Sequence, residues 1–135
     1  MLRWVSLLLL FAHAGCAAAT RDTAGGGTPI RVTDLGSVAG RWAGISDLPG
    51  HRNDEQYIEV TLRNDGTYEA TSARTIGFMD ARGRVQLSDG RLLIEGASGA
   101  RGTATLYGGD GQRTLVVQMM AAKGGNMTAR LRPNP

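Results

Sequence analysis

The stretch that decides the fold is QYIEVTLRNDGTYEATSAR, residues 56–74. Ile58, Val60 and Leu62 alternate with polar residues, so one face of the segment is apolar and the other is polar, as in a half-buried β-strand. Asn64-Asp65-Gly66 then supplies residues that tolerate positive φ, which is typical of a tight hairpin turn. The stretch therefore predicts two antiparallel strands joined by a short turn.

The same alternation around an Asp-Gly pair occurs twice more. RVQLSDGRLLIEG (84–96) turns at Asp89-Gly90, TATLYGGDGQRTLVVQMM (103–120) turns at Asp110-Gly111, and NMTARLR (126–132) is a last alternating strand. No long helical period follows residue 37, and the short connections force sequential strands to be antiparallel. We therefore expect an all-β domain, an antiparallel up-and-down meander of about eight strands that forms a small barrel or half-barrel. Closure is favoured because it removes exposed sheet edges.

The N-terminus has the layout of a secretory signal. One cation, Arg3, precedes an apolar run from Val5 to Ala12, and small residues follow that run. The run is much shorter than the roughly 20 residues that a transmembrane helix needs. The sequence therefore predicts that residues 1–15 are a signal peptide that is removed.

Ala14-Gly15-Cys16 resembles the lipobox of bacterial lipoproteins. The resemblance implies a lipid thioether on Cys16, cleavage before it, and anchoring in a membrane of the bacterial envelope. Because Ala17 rather than Asp follows the cysteine, the resemblance implies the outer membrane, facing the periplasm. The chain departs from the family at His13, where an aliphatic residue is usual. The alternative is an ordinary signal cut after 17–19, which would discard Cys16, the chain's single cysteine.

Residues 16–36 and 37–135 differ in composition. The first range is rich in Ala, Thr and Gly without periodicity, and we interpret it as a lipid-anchored flexible tether with a reach of about 25 Å. The second is one domain by its length. Without residues 1–15 the chain has 14 Lys and Arg against 12 Asp and Glu. These charges are scattered and do not form the basic stripe that nucleic acid binding requires, so we expect no nucleic acid partner.

Gly40-Arg41-Trp42 resembles the Gly-x-Trp opening of lipocalins and related small ligand-binding barrels. The resemblance implies that Trp42 plugs the closed barrel end and that an arginine from a late strand, Arg130 or Arg132, packs over its ring. The domain is shorter than a typical lipocalin and has no C-terminal helix pattern. The alternative is that Trp42 is only a core residue.

Candidates for catalysis and metal binding are few. His51, the only histidine after the signal, lies in the polar stretch SDLPGHRNDEQ, but proximity in sequence is not the geometry of a catalytic triad. His51, Asp54 and Glu55 have the spacing of metal ligands on a helical turn, yet zinc sites usually have more nitrogen or sulfur ligands. The glycine-rich GASGARG (96–102) lacks the helix that a phosphate loop needs. We expect no catalytic residues, metal or cofactor.

Two non-enzymatic functions remain. The first hypothesis is a binding module for a small apolar ligand or lipid, because the inward alanines Ala70, Ala104 and Ala129 leave space in a barrel of this size. The alternative is an envelope protein-interaction module, such as a hydrolase inhibitor or an accessory subunit, that acts through the barrel loops. The fold does not decide between them.

Overall fold

The computed structural model describes residues 27–47, 56–72 and 80–135. These residues form nine β-strands and one 3₁₀ turn at Leu35–Ser37. The strands are β1 Thr28–Ile30, β2 Gly40–Asp47, β3 Gln56–Leu62, β4 Thr67–Ser72, β5 Arg82–Ser88, β6 Arg91–Gly96, β7 Arg101–Gly109, β8 Gln112–Met120 and β9 Asn126–Pro133.

Strands β2 to β9 form a closed barrel of eight antiparallel strands. Each of these strands pairs with the next one along the chain, and β9 returns to pair with β2. The predicted all-β meander is therefore confirmed, in the closed form rather than the half-barrel. Closure gives both long edges of the sheet a hydrogen-bonded partner, which an open sheet of eight strands would lack.

The three predicted turns join their strands, but they are of two kinds. In Asp89-Gly90 and Asp110-Gly111 both residues have positive φ, between 49° and 79°. These are two-residue loops of the kind that matches the twist of a hairpin. In the first turn only Gly66 has positive φ, at 81°, and its N–H donates to the Arg63 carbonyl at 3.0 Å. The side chain of Asp65 accepts the Thr67 N–H at 2.8 Å and completes this longer loop.

Alternate residues of the barrel strands point into one apolar core. Ile58, Val60 and Leu62 are each 5% exposed or less, so the alternation that predicted β3 also assigned its buried face correctly. The inward residues from all eight strands are Trp42, Ile58, Val60, Leu62, Tyr68, Ala70, Val85, Leu92, Ile94, Ala104, Leu106, Leu115, Val117, Met119, Met127, Ala129 and Leu131.

The end of the segment expected to be a tether lies against the barrel. β1 adds to β7 beyond the stretch where β7 pairs with β6. The Val32 N–H then donates to the Gly90 carbonyl at 2.9 Å, and Val32 and Val38 are buried. A three-residue strand is too short to show alternation, so the sequence carried no signal for it. The folded unit therefore includes residues N-terminal to Ser37.

The predicted signal peptide, the Cys16 attachment site and residues 17–26 of the tether lie outside the described residues. Among the residues that the structure describes, no helix is long and apolar enough to cross a membrane.

Candidate functional site

Trp42 lies at the barrel end that carries the three Asp-Gly turns. It stands near the start of β2, opposite Val60 and Pro133, and is 3% exposed. Its indole Nε1–H donates to the Val38 carbonyl at 2.8 Å, which satisfies a donor that would be costly to bury unpaired. Val38 itself is fully buried, and Leu35 packs against the same core. Trp42 and the chain that precedes it therefore pack together at this end of the barrel.

The cation over the Trp42 ring is Arg113, at the start of β8. Its Cζ lies 5.5 Å from the ring centroid, within the range of a cation–π contact. One guanidinium nitrogen of Arg113 also donates to the Ser37 carbonyl at 2.6 Å. Arg113 therefore connects Trp42 to the segment that covers the barrel end.

The arginines that the lipocalin resemblance suggested for this position lie elsewhere. Arg130 and Arg132 are exposed and alternate with the buried residues Ala129 and Leu131. Because side chains alternate between the two faces of a strand, both arginines belong to the outer surface of β9. Arg130 has a guanidinium nitrogen 3.6 Å from a carboxylate oxygen of Asp47. The cation over Trp42 therefore comes from β8 and not, as the resemblance implied, from β9.

Side chains fill the barrel interior between the described strands. Ala70, Ala104 and Ala129, which the sequence analysis expected to leave space, are 3%, 1% and 1% exposed. The larger side chains of Met119 and Met127 pack in the same core and are equally buried. A cavity that could hold a ligand would leave its lining side chains accessible. An eight-stranded barrel is narrow enough for side chains alone to fill it.

Tyr68 brings a polar group into this core. Its ring lies over Gly83 on β5, where a Cβ atom would stand only 2.7 Å from the tyrosine Cε1. Its hydroxyl is buried and forms no hydrogen bond within the described part of the chain. Burial, and secondarily the charge of Asp80, raises the pKa of Tyr68 to about 12. The phenol is therefore neutral at physiological pH.

Asp80 holds the connection between β6 and β7. Its carboxylate accepts the Ser98 N–H at 2.6 Å and is also hydrogen bonded to the Ser98 hydroxyl. The side chain occupies the space in which a Cβ at Gly96 would stand. These contacts give Asp80 a structural role in fixing the turn, close to the Tyr68 ring.

A basic patch lies on the outer face of β5, β6 and β7; we define it as Arg82, Arg84, Leu93, Glu95 and Arg101. Arg84 stands opposite Glu95, and Glu95 stands opposite Arg101. Two surface recesses of about 270 and 300 Å³ are both lined by Arg84 and Glu95. Leu93 lines the first recess and is 44% exposed. The patch thus combines three cations, one carboxylate and an accessible apolar side chain.

The sequence analysis did not identify the basic patch. Arg82 and Arg84 occupy alternate positions of one strand, and this spacing is a signal that both face outward. Arg101 joins them only through the pairing of β5 with β6 and of β6 with β7. The Asp89-Gly90 turn fixes the register of β5 with β6, but the register of β6 with β7 depends on the connection at residues 97–100, which contains no Asp-Gly pair.

Comparisons with known proteins give no relative for this chain. No family model, curated protein or solved structure matches it. The stretch with His51, Asp54 and Glu55 lies outside the described residues. Among the described ones, no group of three or more His, Cys, Asp or Glu side chains is placed to hold a metal ion.

Proposed function

We propose that this protein is a non-enzymatic interaction module of the bacterial envelope, held at the membrane by a lipid on Cys16, that binds another protein through the outer surface of its barrel. The observation that carries the proposal is the packed interior. A carrier of an apolar ligand needs internal volume, whereas the inward alanines Ala70, Ala104 and Ala129 are covered by their neighbours. Of the two hypotheses from the sequence, the geometry favours the protein-interaction module.

The lipocalin resemblance supports the barrel-plug role that we propose for Trp42. A buried tryptophan at the closed end beneath an arginine is the arrangement that the resemblance implies, with Arg113 as the cation. In this proposal the closed end stabilises the barrel and has no contact with a ligand. The surface that binds is then the outer side of the strands and their connections.

Trp42 provides a direct test of the packed interior, because it is the only tryptophan once residues 1–15 are removed. The protein is purified from a bacterial envelope in detergent, and small molecules are extracted and identified by mass spectrometry. Trp42 emission is then titrated with fatty acids and phospholipids. We expect blue-shifted emission, no stoichiometric ligand and no saturable response. A lipid bound one to one, released only on denaturation, would overturn the proposal.

A second arm tests binding to a protein. A photoreactive amino acid is placed singly at Leu93, Ile45 and Met120, three exposed apolar positions of the described strands, and living cells are irradiated. We expect at least one position to give a discrete adduct, with a single envelope protein identified by mass spectrometry. Absence of an adduct at all three positions, at normal expression, would contradict the proposed function.

A further inference from the structure

The basic patch has an excess of positive charge that the protein itself does not neutralise. Arg101 lies 3.6 Å from Glu95, and both side chains are well exposed. Within the part of the chain that the structure describes, Arg82 and Arg84 form no ion pair. Arg82 stands opposite Glu69 on β4, a carboxylate that pairs with Arg63, whereas Arg84 and Arg101 flank the single carboxylate of Glu95. A ligand with negative charges would balance the positive charge that remains at Arg84 and Arg101.

The arginines of the patch are regularly spaced. Arg84, Glu95 and Arg101 are consecutive positions of one cross-strand row. Because neighbouring strands lie about 4.8 Å apart, the two arginine positions are separated by about 10 Å. A polyproline II segment rises about 3.1 Å per residue and repeats its direction every third residue. Two acidic side chains three residues apart would therefore face Arg84 and Arg101 together.

The shape and chemistry of the patch favour a peptide over a membrane surface. The charged groups line two separate recesses of about 270 and 300 Å³ rather than a flat surface. Leu93 offers an apolar contact in the neighbouring cross-strand row, two residues from Glu95 along β6. The central carboxylate of Glu95 would repel a continuous anionic lipid surface, whereas a peptide can place its charges on either side of it.

We infer that the basic patch binds an extended acidic segment of a partner protein, with two carboxylates three residues apart meeting Arg84 and Arg101. This inference rests on the proposed function and specifies the chemistry of the partner. Charge-assisted hydrogen bonds from guanidinium to carboxylate are the main attraction. Glu95 sets the register of the peptide by repelling any acidic side chain placed between the two arginines.

The test measures binding of labelled peptides to the full chain in detergent by fluorescence anisotropy. One eight-residue peptide carries two glutamates three residues apart, and its control carries glutamines there. Arg84→Gln and Arg101→Gln should each weaken binding of the acidic peptide by roughly tenfold, the loss of one charge-assisted contact. Glu95→Gln should tighten it severalfold. Arg132→Gln, the matched loss of charge on the outer face of β9, should change it less than twofold.

Three outcomes would overturn the inference. One is no saturable binding of the acidic peptide, and the second is an equal effect of Arg132→Gln and Arg84→Gln. The third is binding of the wild type to phosphatidylglycerol vesicles but not to the peptide, which would assign the patch to a lipid surface. Photo-crosslinking can also capture a partner whose adduct yield is unchanged in the double variant Arg84→Gln/Arg101→Gln. In that case this inference fails while the proposed function stands.

Discussion

Replacing Tyr68 by phenylalanine should stabilise the protein, and more so at alkaline pH. The hydroxyl is buried without a hydrogen bond in the described structure. An unsatisfied buried polar group costs about 1–3 kcal/mol. Tyr68→Phe removes only that oxygen and keeps the ring over Gly83, so we expect the free energy of unfolding at pH 8 to rise by about 1 kcal/mol.

The pH dependence follows from the raised pKa of Tyr68. In the folded protein this pKa is about 12, against 10.0 for an ordinary tyrosine. The unfolded chain therefore loses the proton first, and this ionisation of the unfolded state lowers the free energy of unfolding progressively between about pH 10 and 12. At pH 11 this loss amounts to about 1.4 kcal/mol. Tyr68→Phe cannot ionise, so its advantage over the wild type should widen by that amount.

The assay is urea denaturation followed by Trp42 emission, at pH 8 and at steps up to pH 11. Tyr57→Phe is the matched control, because Tyr57 is 57% exposed on the outer face of β3. We expect this control to stay within about 0.5 kcal/mol of the wild type at pH 8. A Tyr68→Phe variant that is less stable than the wild type at pH 8 would refute the reasoning, since it would mean that the hydroxyl is satisfied. A difference independent of pH would refute the raised pKa.

Three further substitutions test the closed end, the first turn and the anchor. Arg113→Ala should lower the free energy of unfolding by about 1 kcal/mol and change Trp42 emission. Arg130→Ala should leave the emission unchanged. The reverse result would indicate that the cation over Trp42 comes from β9. Gly66→Ala should destabilise the protein more than Gly111→Ala in urea denaturation. Both positions have positive φ, but only at Gly66 would the new Cβ stand 2.7 Å from a carbonyl oxygen. Equal losses of unfolding free energy would contradict this reasoning. Cys16→Ser should abolish incorporation of labelled fatty acid, and a labelled variant would exclude the proposed anchor.

The fold was predictable because its determinants are local. Strand alternation has a period of two, and the residues 56–74 show it on both sides of a turn that needs positive φ. Asp89-Gly90 and Asp110-Gly111 repeat the signal at intervals that leave no room for helices. The sequence did not indicate β1, since three residues are too few to establish a period. It favoured closure only through the general cost of exposed sheet edges, because the pairing of β2 with β9 is not local.

The closed end was predictable only in part, for a related reason. Trp42 stands on the inward face of β2, and alternation is enough to place it there. Its cation has to come from whichever strand brings an arginine to the same barrel end. Arg130 and Arg132 share the outer face of their strand with one another, so neither reaches the ring. Arg113 reaches it because β8 starts at the end where Trp42 lies, which follows from the topology rather than from any motif.

The arrangement of the outward residues is harder to predict from the sequence than that of the inward residues. Inward residues specify the fold and, once packed, occupy the interior, so the proposed binding function falls to the surface positions. Arg84 and Arg101 are separated in the chain by the complete strand β6. Only the register of β5, β6 and β7 places them in one cross-strand row. A one-residue slip of β6 would turn Glu95 toward the interior and Ile94 toward solvent. The burial of Ile94 therefore opposes the slip, and the packed core fixes the arrangement of charges on the outer face.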